Sequence, residues 1–245
     1  MKEKESWFPT KYIYKNGKLI GSRDKRYVAV GSRLISDLIA EYYSDNIKLY
    51  VSGKLLDLGC GNIPLYIAYK NYITENICVD WQDSLHKNHH IDFYCDLTQR
   101  LPFEDAEFDT VILSDVLEHI PNPENIVYEI HRVLKKNGKL FLNVPFYYWI
   151  HEEPYDFYRY TEFALKHLLE HAGLKIIKLE IIGGVIEVIT DIISKNITRI
   201  PIIGDLPAIF LQWSTLHFSK RSIGKYIKGR TSLKFPYGYF IISEK

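Results

Sequence analysis

Cysteine is scarce in this 245-residue chain, with only Cys60, Cys78 and Cys95. No pair has the spacing of zinc ligands, so the three are expected as free thiols in a reduced compartment. The opening M-K-E-K-E-S-W lacks the apolar core of a secretion signal, which favours a cytoplasmic protein. Long uncharged runs are lacking too. The apolar stretches Val185–Ile193 and Ile197–Trp213 carry Glu187, Asp191, Arg199 and Asp205, and so fall short of the roughly 18 uncharged residues that cross a bilayer. The net charge is only +1, giving no overall drive toward nucleic acid. Internal repeats and low-complexity tracts are absent. What is abundant is apolar and aromatic side chain, 47% and 14% of residues with 19 Tyr, enough for one large α/β domain with an insertion.

The most informative stretch is Lys54–Pro64, K-L-L-D-L-G-C-G-N-I-P. Leu55, Leu56 and Leu58 suit a buried parallel strand, Asp57 ends the strand, and Gly59 and Gly61 follow in a tight turn. Pro64 and Leu65–Tyr72 then read as the start of a helix. Strand, glycine turn and helix bring backbone N–H groups close to a ligand, and a Cβ at the glycines would obstruct the ligand or the backbone angles. The third glycine of the dinucleotide fingerprint is missing; Asn62-Ile63-Pro64 stands in its place. A carboxylate just before the glycines suits an ammonium better than a pyrophosphate. Taken alone, the stretch reads equally well as any βα turn with two glycines.

The following segments extend the pattern. Asn76–Asp80 is a second short strand, and Asp80 stands 19 residues after Gly61, near the spacing of a ribose-binding acid. Ile91–Cys95 is a third, ending at Asp96-Leu97, and Phe108–Leu113 a fourth, ending at Ser114-Asp115. Carboxylates at successive strand ends line one edge of a sheet, where open α/β folds bind ligands. Helix Glu124–Leu134 presents Ile126, Val127, Ile130, Val133 and Leu134 to a sheet and stops at Asn137-Gly138, before strand Lys139–Val144.

With L-L-D-L-G-C-G-N-I-P, V-D-W, D-L-T-Q-R-L-P-F-E-D-A-E-F-D, V-L-E-H-I-P-N-P and R-V-L-K-K-N-G-K-L-F-L-N-V-P-F in order, the chain resembles a class I S-adenosylmethionine-dependent methyltransferase of the type 11 kind. The likeness covers roughly residues 50–182 and a final strand at 235–242. G-C-G-N-x-P followed by His-x-x-Pro-x-Asp-Phe-Tyr-Arg-Tyr-Thr looks like a subgroup associated with polysaccharide and glycolipid biosynthesis. The resemblance implies a Rossmann-like, doubly wound, mostly parallel seven-stranded sheet with an antiparallel last strand and a helical insertion before it. It implies S-adenosyl-L-methionine as cofactor. Asp57 would then sit near the amino-acid moiety, with Gly59, Cys60 and Gly61 allowing close backbone approach. Asp80 would take the ribose hydroxyls, Trp81 could stack on adenine, Asp96 and Leu97 would meet the adenine, and Ser114 would lie beside the methionine part. No motif requires a metal.

Beyond this core the residues speak less specifically. One domain is expected, with a hairpin-and-helix extension over 1–48, a cofactor core over 49–182, a helical insertion or lid over 183–232 and the final strand over 233–245. Tyr12–Ile20 alternates around Asn16-Gly17, a hairpin signal. Arg26–Asn46 reads as a helix with Leu34, Leu38 and Tyr42 on one face; the resemblance implies that it covers the cofactor site, and packing on the sheet edge is the other reading. His86, His89 and His90 share helical spacing, but a solvated loop explains them better than a metal site. The loop Phe146–Thr161 packs seven Tyr, Trp and Phe side chains between Tyr147 and Tyr160, just past a strand end. It reads either as a structural plug or, as favoured here, as a substrate loop. His151 would take a proton there, with His119 second in line; Asp156 would hold His151 or the loop, Arg159 would anchor a carboxylate or phosphate, and Tyr155 and Tyr158 would line the acceptor site. Thr161 is the expected N-cap of Glu162–Ala172, before strand Leu174–Ile182. From Lys195 onward, nine Lys/Arg face two acids, Asp205 and Glu244, giving +7 and leaving −6 for the rest. Residues 185–230 are therefore open to three readings: an acceptor lid, a peripheral membrane contact through Lys220, Arg221, Lys225, Lys228 and Arg230, or a helical pair completing the core or a homodimer.

The expected reaction is methyl transfer to a nucleophilic oxygen of a small molecule or glycan, such as a hydroxyl of a sugar or lipid-linked sugar. A non-catalytic cofactor-binding subunit of a glycan-assembly complex and an NAD-dependent oxidoreductase are the alternatives. The lost third glycine, Asp57 and the lack of an evident Tyr-x-x-x-Lys pair speak against the last.

Overall fold

The structure is a computed structural model and describes residues 1–84 and 89–245; His86 of the histidine-rich stretch lies outside the described residues. Strands β1 (Tyr12–Lys15) and β2 (Lys18–Gly21) form an antiparallel hairpin. Its turn residues Asn16 and Gly17 both take positive φ, 51° and 74°, as a type I′ turn requires. Helix α1 (Arg33–Tyr50) buries Leu34, Ile35, Leu38, Ile39, Tyr43 and Ile47 along one face. It starts later than the expected Arg26. Asp24 takes the Arg26 N–H with its side chain and the Val28 N–H with its carbonyl, closing a turn, and the 3-10 turn Val30–Ser32 intervenes before regular helix begins.

The main sheet starts with β3 (Lys54–Leu58), whose three leucines are fully buried. The expected helix after the glycine turn is only one turn long, α2 (Tyr66–Tyr69). β4 (Glu75–Asp80) follows, then β5, which is just Phe93–Tyr94 rather than Ile91–Cys95. β6 (Phe108–Ser114) leads to a 3-10 turn at Leu117–His119 and helix α3 (Pro123–Val133). β7 (Leu134–Pro145) begins where α3 stops, because Leu134 turns extended and pairs with Phe108. The ladder then bulges and resumes at Thr110 with Lys139, so Asn137-Gly138 lies inside this strand and does not end the helix. Helix α4 (Glu162–His171) is capped by the Thr161 hydroxyl, which accepts the Ala164 N–H at 3.2 Å. β8 (Lys175–Ile182), helices α5 (Val185–Ile197), α6 (Asp205–Ser219) and α7 (Ser222–Thr231), and β9 (Gly238–Glu244) complete the chain.

The seven strands run in the order β5-β4-β3-β6-β7-β9-β8. β5, β4, β3, β6 and β7 are parallel, while reciprocal bonds between Asn137, Gly138 and Lys245 show that β9 runs against β7. This is a Rossmann-like sheet with a single antiparallel strand. The carboxyl ends of β3, β4 and β6 therefore lie side by side.

Two compact units emerge. One comprises Met1–Phe8, Asn46–Glu180 and Tyr239–Lys245 and holds most of the sheet; the other comprises Pro9–Asp45 and Ile181–Gly238. Inside the second unit the Gln212 side chain accepts from Leu34 N–H at 2.7 Å and donates to the Val30 carbonyl at 2.8 Å. Lys195 pairs with Asp191 at 2.6 Å, both buried. Burial pushes the lysine down and the carboxylate up, and each opposes the other's shift. Among the described residues no helix is long and apolar enough to cross a membrane.

Candidate active site

The glycine turn after β3 is built by backbone needs and by packing. Gly59 takes φ +66°, and a Cβ there would fall 2.5 Å from Val116 Cγ2, so a side chain on the next strand's loop demands glycine. Gly61, at φ +49°, donates its N–H to Asp80 Oδ2 at 3.1 Å, while Cys60 N–H bonds the Val79 carbonyl at 3.0 Å. The turn is thus tied to the end of β4. Asp80 is nearly buried and its other oxygen accepts the Trp81 N–H at 2.8 Å, so the carboxylate is locked at the strand end.

Asp57 is buried beneath this turn and accepts the Tyr69 hydroxyl at 2.9 Å. Burial pushes its carboxyl up to about 7; Tyr69 opposes the rise and nearby Asp80 adds to it. A cationic group brought beside Asp57 would relieve that penalty, which is the electrostatic condition for an ammonium site. Cys60 and Cys78 are free, buried neighbours, and their interaction together with burial keeps the Cys60 thiol protonated. Burial raises Cys95 to about 11.

At the remaining strand ends, Leu97 is buried, and exposed Asp96 turns its carboxylate back onto the Thr98 N–H at 2.8 Å. Ser114, half-buried, stands in register with Asn143 of β7. Asp115 takes a left-handed φ of 56° and is held by Asn143 through both its backbone and its side chain.

The aromatic loop folds onto the turn after β6. Phe157 and Tyr158 N–H groups both reach the Glu118 carbonyl, the Tyr160 hydroxyl bonds the Leu117 carbonyl, and the Tyr158 hydroxyl bonds the Pro121 carbonyl. Tyr155 sets its ring edge-to-face with Trp81, 5.0 Å between centroids, bringing the substrate loop to the residue that follows Asp80. Arg159 acts within the loop. Its guanidinium grips Asp156 with two bonds of 2.6 and 2.7 Å and donates to the Tyr148, Trp149 and Tyr158 carbonyls, so its donors are engaged by the loop itself. Burial alone would raise Asp156, but Arg159 and the His151 N–H outweigh it and hold the carboxyl at about 2.

The loop delivers His151 to His119, with ring centroids 4.7 Å apart. Burial lowers His151, His119 lowers it further, and Asp156 and Glu152 oppose this, so the ring favours its neutral form. His151 Nδ1 is 3.2 Å from Asp156 Oδ2, though not in line for a hydrogen bond. His119 Nδ1 lies 2.8 Å from the Tyr155 carbonyl; a carbonyl only accepts, so Nδ1 carries the hydrogen and Nε2 is the lone-pair nitrogen of the neutral ring. Beside both rings lies Glu118, 0% exposed, its Oε1 3.8 Å from each Nε2 and both carboxylate oxygens lacking a hydrogen-bond partner. Burial and Asp115 push this carboxyl well above the ordinary range. Sequence reasoning missed Glu118, although its position beside His119 at the end of a β6 turn was a usable signal.

Residues 56–142 match the family described as "Methyltransferase domain". The ubiquinone biosynthesis O-methyltransferase of Coxiella burnetii is 30% identical over 120 residues, 45% of this chain and 50% of that protein. That of Xanthomonas euvesicatoria is 29% identical over 113 residues, 42% and 47% respectively. The chain spans about half the length of the curated relatives it matches. Among solved structures, an Archaeoglobus fulgidus SAM-dependent methyltransferase superposes with TM-score 0.55 at 16% identity, over 87% of this chain and 97% of that one. The [4+2]-cyclase SpnF does so with TM-score 0.56 at 18% identity, over 86% and 83%. These two share the fold, although one is a cyclase by name. The matched segment is similar to methyltransferase domains, and S-adenosylmethionine is the cofactor that similarity points to.

Proposed function

We propose that this chain transfers the methyl group of S-adenosylmethionine to an oxygen of a small-molecule or glycan acceptor, a hydroxyl of a sugar or lipid-linked sugar. The methyl sulfonium is already activated, so the protein's work is to align donor and acceptor, exclude water and take a proton. Asp57 pairs with the cofactor's ammonium group, Asp80 receives the ribose hydroxyls, and Gly59, Cys60 and Gly61 let the backbone come close. Trp81, Asp96 and Leu97 surround the adenine, and Ser114 flanks the methionine part. Tyr155 and Tyr158 face the acceptor, while Asp156 and Arg159 fix the loop that carries them.

The observation that carries the reading is the meeting of His119 and His151 past the end of β6, in the same unit as the Asp57–Asp80 turn. A hydroxyl acceptor gains from a base, and the neutral, loop-held His151 is the first candidate, with His119 second. The lipid-linked option draws on the second unit, where Leu206, Phe210 and Trp213 of α6 are 75%, 68% and 56% exposed and Lys220 and Arg221 stand exposed just beyond. A peripheral membrane surface would cover that face; a second copy of the chain is the other cover, distinguished by a concentration-dependent mass in sedimentation.

Calorimetric titration with S-adenosylhomocysteine, with NAD in parallel, tests the cofactor assignment. Binding of the former alone is expected. Binding of NAD alone would replace methyl transfer with hydride transfer, and binding of neither to the isolated chain would remove the cofactor assignment.

A further inference from the structure

We propose that Glu118, His119 and His151 form a binding site for a divalent transition-metal cation of the zinc class. The donor atoms of the three all lie within 4.8 Å of one another. His119 Nε2 and His151 Nε2 are each 3.8 Å from Glu118 Oε1. That distance is longer than a direct hydrogen bond and near the spacing of two ligands on one metal ion. A proton shared between nitrogen and oxygen would draw them to about 2.7–3.2 Å. Two donors about 2.1 Å from a zinc ion at a tetrahedral angle stand about 3.4 Å apart, which a small inward movement achieves here.

The surroundings point the same way. Glu118 is wholly buried, its carboxylate oxygens lack a hydrogen-bond partner, and both imidazoles bring Nε2 within 3.8 Å of Oε1. His119 is fixed by the Tyr155 carbonyl on Nδ1, so Nε2 offers its lone pair on the side of Glu118. A buried carboxyl without a protein donor is costly, and a cation held between it and the two imidazoles would satisfy it. Behind His151 stands Asp156, 3.2 Å from Nδ1 and gripped in turn by Arg159, the carboxylate–histidine pairing that orients metal ligands. Asp115 and Asp156 add negative charge near Glu118, and Arg159 opposes them. Two imidazoles and one carboxylate suit zinc and its first-row neighbours rather than magnesium or calcium, which prefer oxygen shells. Three protein donors leave a position open for an oxygen ligand, and Glu152, whose Oε2 is 4.0 Å from His119 Nε2, stands at the rim.

The cation site stands on these side chains alone. Its use rests on the methyl-transfer reading: there a bound cation, by holding an acceptor oxygen and easing loss of its proton, would take the place of a free His151 or His119 base.

The test uses untagged full-length chain stripped with a chelator, titrated with cobalt(II) and followed by visible absorption, then with zinc(II) in competition. One tightly bound equivalent is expected, with the absorption of a low-coordinate nitrogen–oxygen site. Glu118→Gln, His119→Ala and His151→Ala should each weaken binding at least tenfold, while a His86→Ala/His89→Ala/His90→Ala variant keeps it. Retained S-adenosylhomocysteine binding shows that each variant is folded. No uptake by the wild type, equal uptake by the cluster variants, or loss only in the 86/89/90 variant overturns the site. Metal uptake without S-adenosylhomocysteine binding would overturn the methyl-transfer reading and leave the metal site standing.

Discussion

Helices α3 and α6 place their apolar side chains differently. α3 turns Ile126, Val127, Ile130 and Val133 inward, all fully buried, and keeps its polar residues on the other faces, where Glu124 and Asn125 are exposed and Glu129 and Arg132 bind the 101–105 loop. α6 buries Ala208, Gln212 and Thr215 and exposes Leu206, Ile209, Phe210 and Trp213. The first helix packs on a sheet, whose flat apolar face rewards large side chains. The second packs among helices whose partners are hydroxyls, an amide and small residues: Thr190 bonds Thr215 at 2.8 Å, and Gln212 clasps the chain at Val30 and Leu34. One helix has completed its hydrophobic burial inside the chain. The other still displays a large apolar surface of the sort that binds membranes or proteins.

That contrast can be broken or sharpened by substitution. The largest effect is expected from Ile130→Ala in α3, which should lower unfolding free energy by about 2–5 kcal/mol in a denaturant titration. A loss below about 1 kcal/mol would mean that α3 is not part of the core. Gln212→Leu, although it makes α6 more apolar, should cost about 1–3 kcal/mol by orphaning the Leu34 N–H and the Val30 carbonyl; a stabilised variant would show that the amide is dispensable.

Two predictions concern the sheet-edge site alone. Asp80→Ala should weaken S-adenosylhomocysteine binding by about 1–3 kcal/mol and leave vesicle binding unaltered. The pH response follows from Asp57, whose carboxyl burial raises to about 7. Because the folded value exceeds the unfolded one, Asp57's stabilising contribution is fully present below about pH 3.9 and is lost as pH rises through 7. An ammonium ligand needs the ionised form, so binding should release a proton below pH 7. Affinity should then rise about tenfold per unit up to 7 and level off above it. Asp57→Asn should abolish that slope; a flat profile in the wild type would place the ammonium elsewhere. The smallest stability effect belongs to α6. Leu206→Ser with Phe210→Ser should change unfolding free energy by under about 0.5 kcal/mol per site, yet abolish sedimentation with anionic vesicles if the face meets lipid.

Much of the first unit was legible in the sequence. The runs Leu55–Leu58, Asn76–Asp80 and Phe108–Leu113 announce their strands, and the two glycines announce their turn, because those signals lie within a few residues and depend on backbone sterics. Boundaries were less legible where tertiary pairing overrode local pattern. Leu134 left α3 to join Phe108, and Asp24 closed a turn that delayed α1. The reason for Gly59 was only half visible: the turn needs positive φ, but Val116, far along the chain, also forbids a Cβ.

The sequence by itself determined the alternation of strands and helices, the glycine turn, and the carboxylates at the ends of β3 and β4. All are local patterns of side-chain size and backbone freedom. Only the tertiary structure decided that α6 turns its aromatic side outward, that Arg159 bonds its own loop, and that the buried Glu118 meets both His119 and His151. Each of these depends on which distant backbone closes around a side chain, and periodicity carries no record of that.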